Sequence, residues 1–131
     1  MSIAKAALDG IWNNIDTACD GVTLRSPTEE STFKVAEVKQ DRIVITLKDE
    51  LSIDRQAFEG ALHYLVSHGH NSASPCEIRS NTMYEAAGPL CRSARKAPNG
   101  QRNITYVLPI LKQMGLVGIG PERPSTAWFI A

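Results

Sequence analysis

The sequence predicts an α+β fold, because two kinds of apolar periodicity follow one another along it. Apolar residues recur at three- and four-residue steps in residues 2–19, 52–67 and 103–115, the pattern of helices with one buried face. In residues 42–48 they alternate one by one, as on a half-buried strand. Residues 116–130 read as two strands about a turn bounded by Pro121 and Pro124.

The first element is a helix from about Ser2 to Cys19, with Ala4, Ala7, Leu8, Ile11, Trp12, Ile15 and Ala18 on one face. Ser2 is placed to cap it and Gly21 to end it in a left-handed conformation. A loop with Ser26-Pro27-Thr28 and the acids Glu29 and Glu30 leads to a β-hairpin. Its first strand, Thr32–Lys39, slips in alternation near Ala36, where a bulge is expected. Its second, Arg42–Lys48, sets Ile43, Ile45 and Leu47 against Arg42, Val44, Thr46 and Lys48. Ser52 or Asp54 then caps a helix running to about Ser67, with Phe58, Ala61, Leu62 and Leu65 inward and Gly69 as its stop.

Ser74-Pro75-Cys76-Glu77 has the form of a capping box with proline at the first helical position, which predicts a short helix to about Ser80. Residues Asn81–Gln101 form a long connection, with one or two basic helical turns at Leu90–Ala97 and a turn at Pro98-Asn99-Gly100. The last helix starts near Asn103, its expected cap, carries Ile104, Val107, Leu108 and Leu111 inward, and ends at Gly115. Pro109 lies inside it, which predicts a kink or a late start. A hairpin of Leu116–Gly120 and Thr126–Ile130 closes the chain.

The 131 residues suit one domain, made of an N-terminal part (1–50) and a C-terminal part (51–131). The apolar runs are far shorter than a membrane span, and the first residues lack a secretory pattern, so a cytoplasmic protein is expected. Three cysteines without CxxC spacing fit free thiols better than a disulfide framework. Charge is balanced in total and uneven in distribution. Residues 1–60 hold seven basic and eleven acidic side chains, and residues 61–131 hold seven and three. No acid occurs between Glu85 and Glu122, where Arg92, Arg95, Lys96, Arg102 and Lys112 fall. Such asymmetry points to an anionic partner for the basic half, or to neutralisation of one half by the other.

Helix, short helix, helix and hairpin over residues 52–131, with Val107-Leu108-Pro109-Ile110-Leu111-Lys112-Gln113-Met114-Gly115-Leu116-Val117 turning from helix into strand, resembles a winged helix-turn-helix. The resemblance implies double-stranded DNA as partner, with the last helix in the major groove and the hairpin tip on the backbone or minor groove. It also implies the contacts. Arg102, Asn103, Thr105, Lys112 and Gln113 would lie about the recognition helix, Arg92, Arg95 and Lys96 just before it, and Arg123 at the wing tip. No catalytic residue, metal or cofactor is implied. A small regulator, or a stand-alone part of a DNA-processing or mobile-element system, would fit. A homo-oligomer through the N-terminal helix, using Trp12 and Ile15, would present paired half-sites.

Three rival readings attach to particular residues. The same fold without nucleic-acid binding would be a protein–protein interaction adaptor. His63, His68, His70 and Cys76 are ligand types, but their spacing fits no regular zinc motif. Glu37-Val38-Lys39, with Glu29 or Glu30 upstream, has the acid-x-Lys form of some metal-dependent nucleases, a pattern that also arises from solvated neighbours on a strand.

Overall fold

The computed structural model describes residues 3–12, 21–47, 49–81, 83, 86–95, 102–122 and 124–130. Within these, the order is α1 (Ile3–Trp12), β1 (Thr23–Arg25), β2 (Thr32–Val38), β3 (Arg42–Thr46), β4 (Glu50–Asp54), α2 (Arg55–Ser67), β5 (Cys76–Glu77), α3 (Pro89–Ser93), α4 (Ile104–Gln113), β6 (Val117–Gly120) and β7 (Thr126–Phe129). The class is α+β. Two antiparallel sheets form, one of four strands in the order β1-β2-β3-β4 and one of three in the order β5-β7-β6.

The predicted hairpin is thus the centre of a larger sheet. Its bulge falls where the alternation slips, between Val35 and Glu37. The extra residue, Ala36, resets the phase, so Val38 as well as Phe33 and Val35 reaches the core side. From the sequence, residues 50–54 are expected to lead into a helix capped by Ser52 or Asp54. They form β4 instead, pairing Ile53 with Ile43 and Leu51 with Ile45. Glu-Leu-Ser-Ile-Asp alternates as a strand should, but Asp54 passes into α2 with no turn residue to mark the boundary.

The segment 74–80 departs most from its local signature: the expected helix is a strand. Asn71 Oδ1 accepts hydrogen bonds from the amides of Ala73 (2.9 Å) and Ser74 (3.1 Å), so a side-chain turn forms before the proline. Cys76 and Glu77 then pair with Ala127 and Thr126 of β7, and the Ile78 amide donates to Ser125 O at 3.0 Å. Cys76 and Ile78 are buried while Glu77 is exposed, a period of two. Pairing with the open edge of β7 outweighs a capping box on a helix of barely two turns.

Both glycine stops form the same cap. At the end of α2, Gly69 has φ +68°, its amide donates to Val66 O (3.1 Å), and His70 N donates to Leu65 O (2.9 Å). At the end of α4, Gly115 has φ +82°, with Gly115 N to Lys112 O at 2.9 Å and Leu116 N to Leu111 O at 3.0 Å. This paired bonding satisfies carbonyls that the last helical turn leaves over. Pro109 sits within α4, which starts at Ile104 and runs through to Gln113.

One buried cluster joins residues of both parts, from Leu8, Trp12, Phe33 and Val35 through Phe58 and Leu62 to Ile104, Leu108, Val117 and Ala127. The described part of the first helix docks on α2. Trp12 meets Phe58 edge-on with ring centroids 5.5 Å apart, and its indole N–H donates to Lys39 O at 3.0 Å. Arg55 lies over the Trp12 ring at 4.7 Å and forms an ion pair with Asp9. Trp12, read from the sequence as a contact between copies, is therefore buried within the protomer at 3% exposure. Its broad apolar ring and one donor are both satisfied there. Ile15, Ser2 and the remainder of that predicted helix lie outside the described residues. Among the described residues, no helix is long and apolar enough to cross a membrane.

Candidate nucleic-acid interface

The segment that sequence reasoning singled out is built on α3 and α4. Gly88 and Pro89 open α3, whose Leu90 and Cys91 are buried. α3 lies close against α2, because Gly60 presents no side chain. A Cβ there would stand 2.2 Å from Ser93 O. The link from α3 to α4 is pinned by Asn103, whose Nδ2 donates to Ala94 O at 3.2 Å. Asn103 is the residue that precedes α4, but its side chain makes no capping bond to the helix. It ties the two helices together rather than capping one, and its Oδ1 is buried without a hydrogen-bond partner.

The predicted contact residues divide by burial. Lys112 and Gln113 are exposed near the C-terminal end of α4, while Arg92, Arg102, Asn103 and Thr105 are half-buried. Arg95 is not the surface contact expected of it. It is 9% exposed, and its Nη2 donates to Cys91 Sγ at 3.5 Å. One turn after Cys91, its side chain is drawn inward beside α3. Lys96 and Arg123 lie outside the described residues.

Six of the ten residues of α4 are buried: Ile104, Val107, Leu108, Pro109, Ile110 and Leu111. Positions 105, 106, 109, 112 and 113 recur at helical spacing and share a face, with Arg102 two residues before the helix starts. That face is not open, and this could not be read from the sequence. β1 and the turn that follows it, Ser26–Ser31, lie across it. Pro27 is buried there, and Phe33 meets Tyr106 edge-on at 5.4 Å. Pro27 lines two clefts. In one, of about 290 Å³, Ser26–Thr28, Glu30 and Ser31 face Arg102, Thr105 and Tyr106. In the other, of about 330 Å³, Thr23–Pro27 and Glu29 face Pro109, Lys112 and Gln113, with Ile119 and Pro121 of the terminal hairpin. The hydroxyls of Ser80 and Thr105, on the wall of the first cleft, are buried without hydrogen-bond partners. The acidic N-terminal half thus places Glu29 in the cleft with Lys112 and Glu30 in the cleft with Arg102. The charge asymmetry was the only sequence signal of that placement.

The residues behind the rival readings are placed elsewhere. His68 Nδ1 donates to Tyr64 O at 3.0 Å, and His70 Nδ1 donates to Ser74 O at 2.9 Å. Both rings stack on Tyr64, with centroids at 4.1 and 5.9 Å. Among the described residues, no three His, Cys, Asp or Glu side chains come together as a metal site. Glu37 pairs with Lys39 at 3.9 Å on an exposed part of β2. Six residues, five of them in β2, lie between it and Glu30, roughly 20 Å at strand rise, so these carboxylates do not share a site.

Burial, and then the charge of Glu77, push the Cys76 thiol above its ordinary value, and burial with the neighbouring Cys76 likewise raises the Tyr64 phenol. Cys76 therefore stays a protonated, slowly alkylating thiol. The unfolded chain ionises it first as pH rises, so stability holds below the ordinary thiol range and falls above it. The urea midpoint should be lower at about pH 10 than at about pH 8, and Cys76→Ala should reduce that drop. An equal drop in parent and variant would show that burial of this thiol is not its cause.

Comparisons of the chain with protein-family models, with curated proteins and with solved structures find no match.

Proposed function

We propose that this chain is a winged-helix module that binds duplex DNA through α4 and the β6–β7 hairpin. The observation that carries the reading is the packing of α2 and α4 against the β5-β7-β6 sheet, with α3 packed on α2. A helix pair followed by a hairpin that folds back onto an earlier strand is the arrangement expected of a helix-turn-helix with a wing. The acid-free tract runs through α3, α4 and β6, with Arg92 on α3, Lys112 on α4, and Arg95, Lys96 and Arg102 between them in the sequence, so it is locally basic although the net charge is zero. Attraction to phosphates follows local clustering, not total charge. Arg92, Arg102 and Lys112 are the described cations of this surface, with Lys96 and Arg123 completing the proposed set.

The test is binding to a pool of short duplexes across a salt series, read by fluorescence anisotropy. Four or five neutralised phosphates give a log–log slope near −4, at about −0.9 each. Arg102→Ala with Lys112→Ala should lower the slope by about 1.8 in magnitude and leave the fold intact. No binding at low salt would dismiss the reading. An unchanged slope in the double variant would move the contact off α4.

One observation favours a second reading, the interaction adaptor. The outward face of α4 already receives a protein surface, the chain's own Ser26–Ser31 turn. An adaptor would bind its partner with no dependence on nucleic acid and little dependence on salt.

A further inference from the structure

We propose that the Ser26–Ser31 turn is an autoinhibitory cap on α4, seated on the helix face that duplex DNA takes, so that DNA and the seated turn exclude one another. The inference rests on the DNA-binding reading above and assigns a regulation to that same surface.

Three observations converge on the turn. The first is position. Pro27 is buried between the two clefts, with Arg102, Thr105 and Tyr106 in one and Pro109, Lys112 and Gln113 in the other. These are successive turns of one helical face, so the turn lies across the middle of it. A major groove about 12 Å wide and 8.5 Å deep admits a helix of about 10–12 Å diameter. It does not admit that helix with a second layer of backbone on its outward side.

The second observation is charge. Glu29 shares a cleft with Lys112, and Glu30 shares the other with Arg102. Carboxylates in the same clefts as these cations, though not in direct ion pairs with them, lower the local positive potential that phosphates would meet. The third is the build of the turn. Ser26 N donates to Ser31 O (2.8 Å), Ser31 N donates to Ser26 Oγ (3.2 Å), and Glu29 N donates to Ser26 O (2.8 Å). These bonds are internal, so the turn can lift from α4 without breaking them. Glu29 holds φ +64°, a conformation that a side chain with a Cβ adopts at a cost. The seated turn lowers the apparent affinity for DNA by the fraction of molecules in which it is lifted.

The experiment compares duplex binding by the parent, by Glu29→Gln/Glu30→Gln, and by Glu37→Gln/Asp41→Asn. The last removes the same charge at the opposite end of the sheet. The cap predicts that the first pair tightens binding about fivefold, as expected from removing two exposed negative charges beside the cations of that face, and by clearly more than the control pair. It also predicts that Thr28→Cys, at a half-buried position in the turn, is alkylated at least about threefold faster once duplex is added, because lifting exposes it. Peptide-resolved mass spectrometry separates this thiol from the native cysteines. Equal tightening by both pairs reduces the effect to net charge and overturns the cap. So does slower or unchanged alkylation at position 28, which would mean that DNA binds with the turn in place. If neither parent nor variants bind at low salt, the DNA-binding reading fails and the cap fails with it. Binding by the parent together with a failed alkylation test rejects the cap alone.

Discussion

Phe58→Ala should destabilise the protein by about 4 kcal/mol, close to a thousandfold in the folding equilibrium. The ring is fully buried in α2 and meets the edge of Trp12 at 5.5 Å, so it joins α1 to the rest of the core. Its removal loses the transfer free energy of a phenyl group, leaves a cavity that helix-borne neighbours fill poorly, and forfeits the aromatic pair. Chains of this size are stable by only about 5–15 kcal/mol, so the loss is a large share of the whole. Urea unfolding should show a lower midpoint with an unchanged slope. In a Trp128→Phe background, the emission of Trp12 should shift to the red as its environment opens. A loss below about 1 kcal/mol would mean that α1 is not anchored through this contact.

Gly60→Ala tests the closeness of α2 and α3, and its sign separates two effects. Helix propensity alone favours alanine over a mid-helix glycine by about 1 kcal/mol. Against it stands a Cβ placed 2.2 Å from Ser93 O, a backbone atom that cannot rotate away. Relief requires the two helices to part by about an ångström, at a cost of about 3 kcal/mol. A net loss of about 2 kcal/mol is expected. The displacement should pass from Ser93 to Ala94 and on to Asn103, whose bond to Ala94 O sets α4 against α3. Duplex affinity measured on the folded variant should therefore fall as well. A more stable Gly60→Ala variant would show that the helices are farther apart than this.

The candidate surface was only partly legible in the residues. The acid-free tract marked α3 and α4, and helical spacing identified Lys112 and Gln113 as exposed. Burial of Arg95 depends on where Cys91 and α3 settle, and the use of Asn103 as a clamp depends on a carbonyl nine residues earlier. Pro27 and Tyr106 were missed altogether, since their meeting joins segments distant in the chain and leaves no periodic trace in either.

The division follows the range of the forces. Features governed by bonding within a few residues were fixed by the sequence alone: the glycine caps after α2 and α4, the bulge at Ala36, and the terminal hairpin. Each is a local conformational preference that the surrounding fold agrees with. Tertiary structure decided the rest. Residues 76–77 became a strand because β7 offered an edge, residues 50–54 joined a sheet because β3 offered another, and the outer face of α4 was covered by a turn more than seventy residues earlier. In each case a partner remote in sequence supplied hydrogen bonds or apolar area that no local signal could weigh, and that pairing prevailed over the nearby preference.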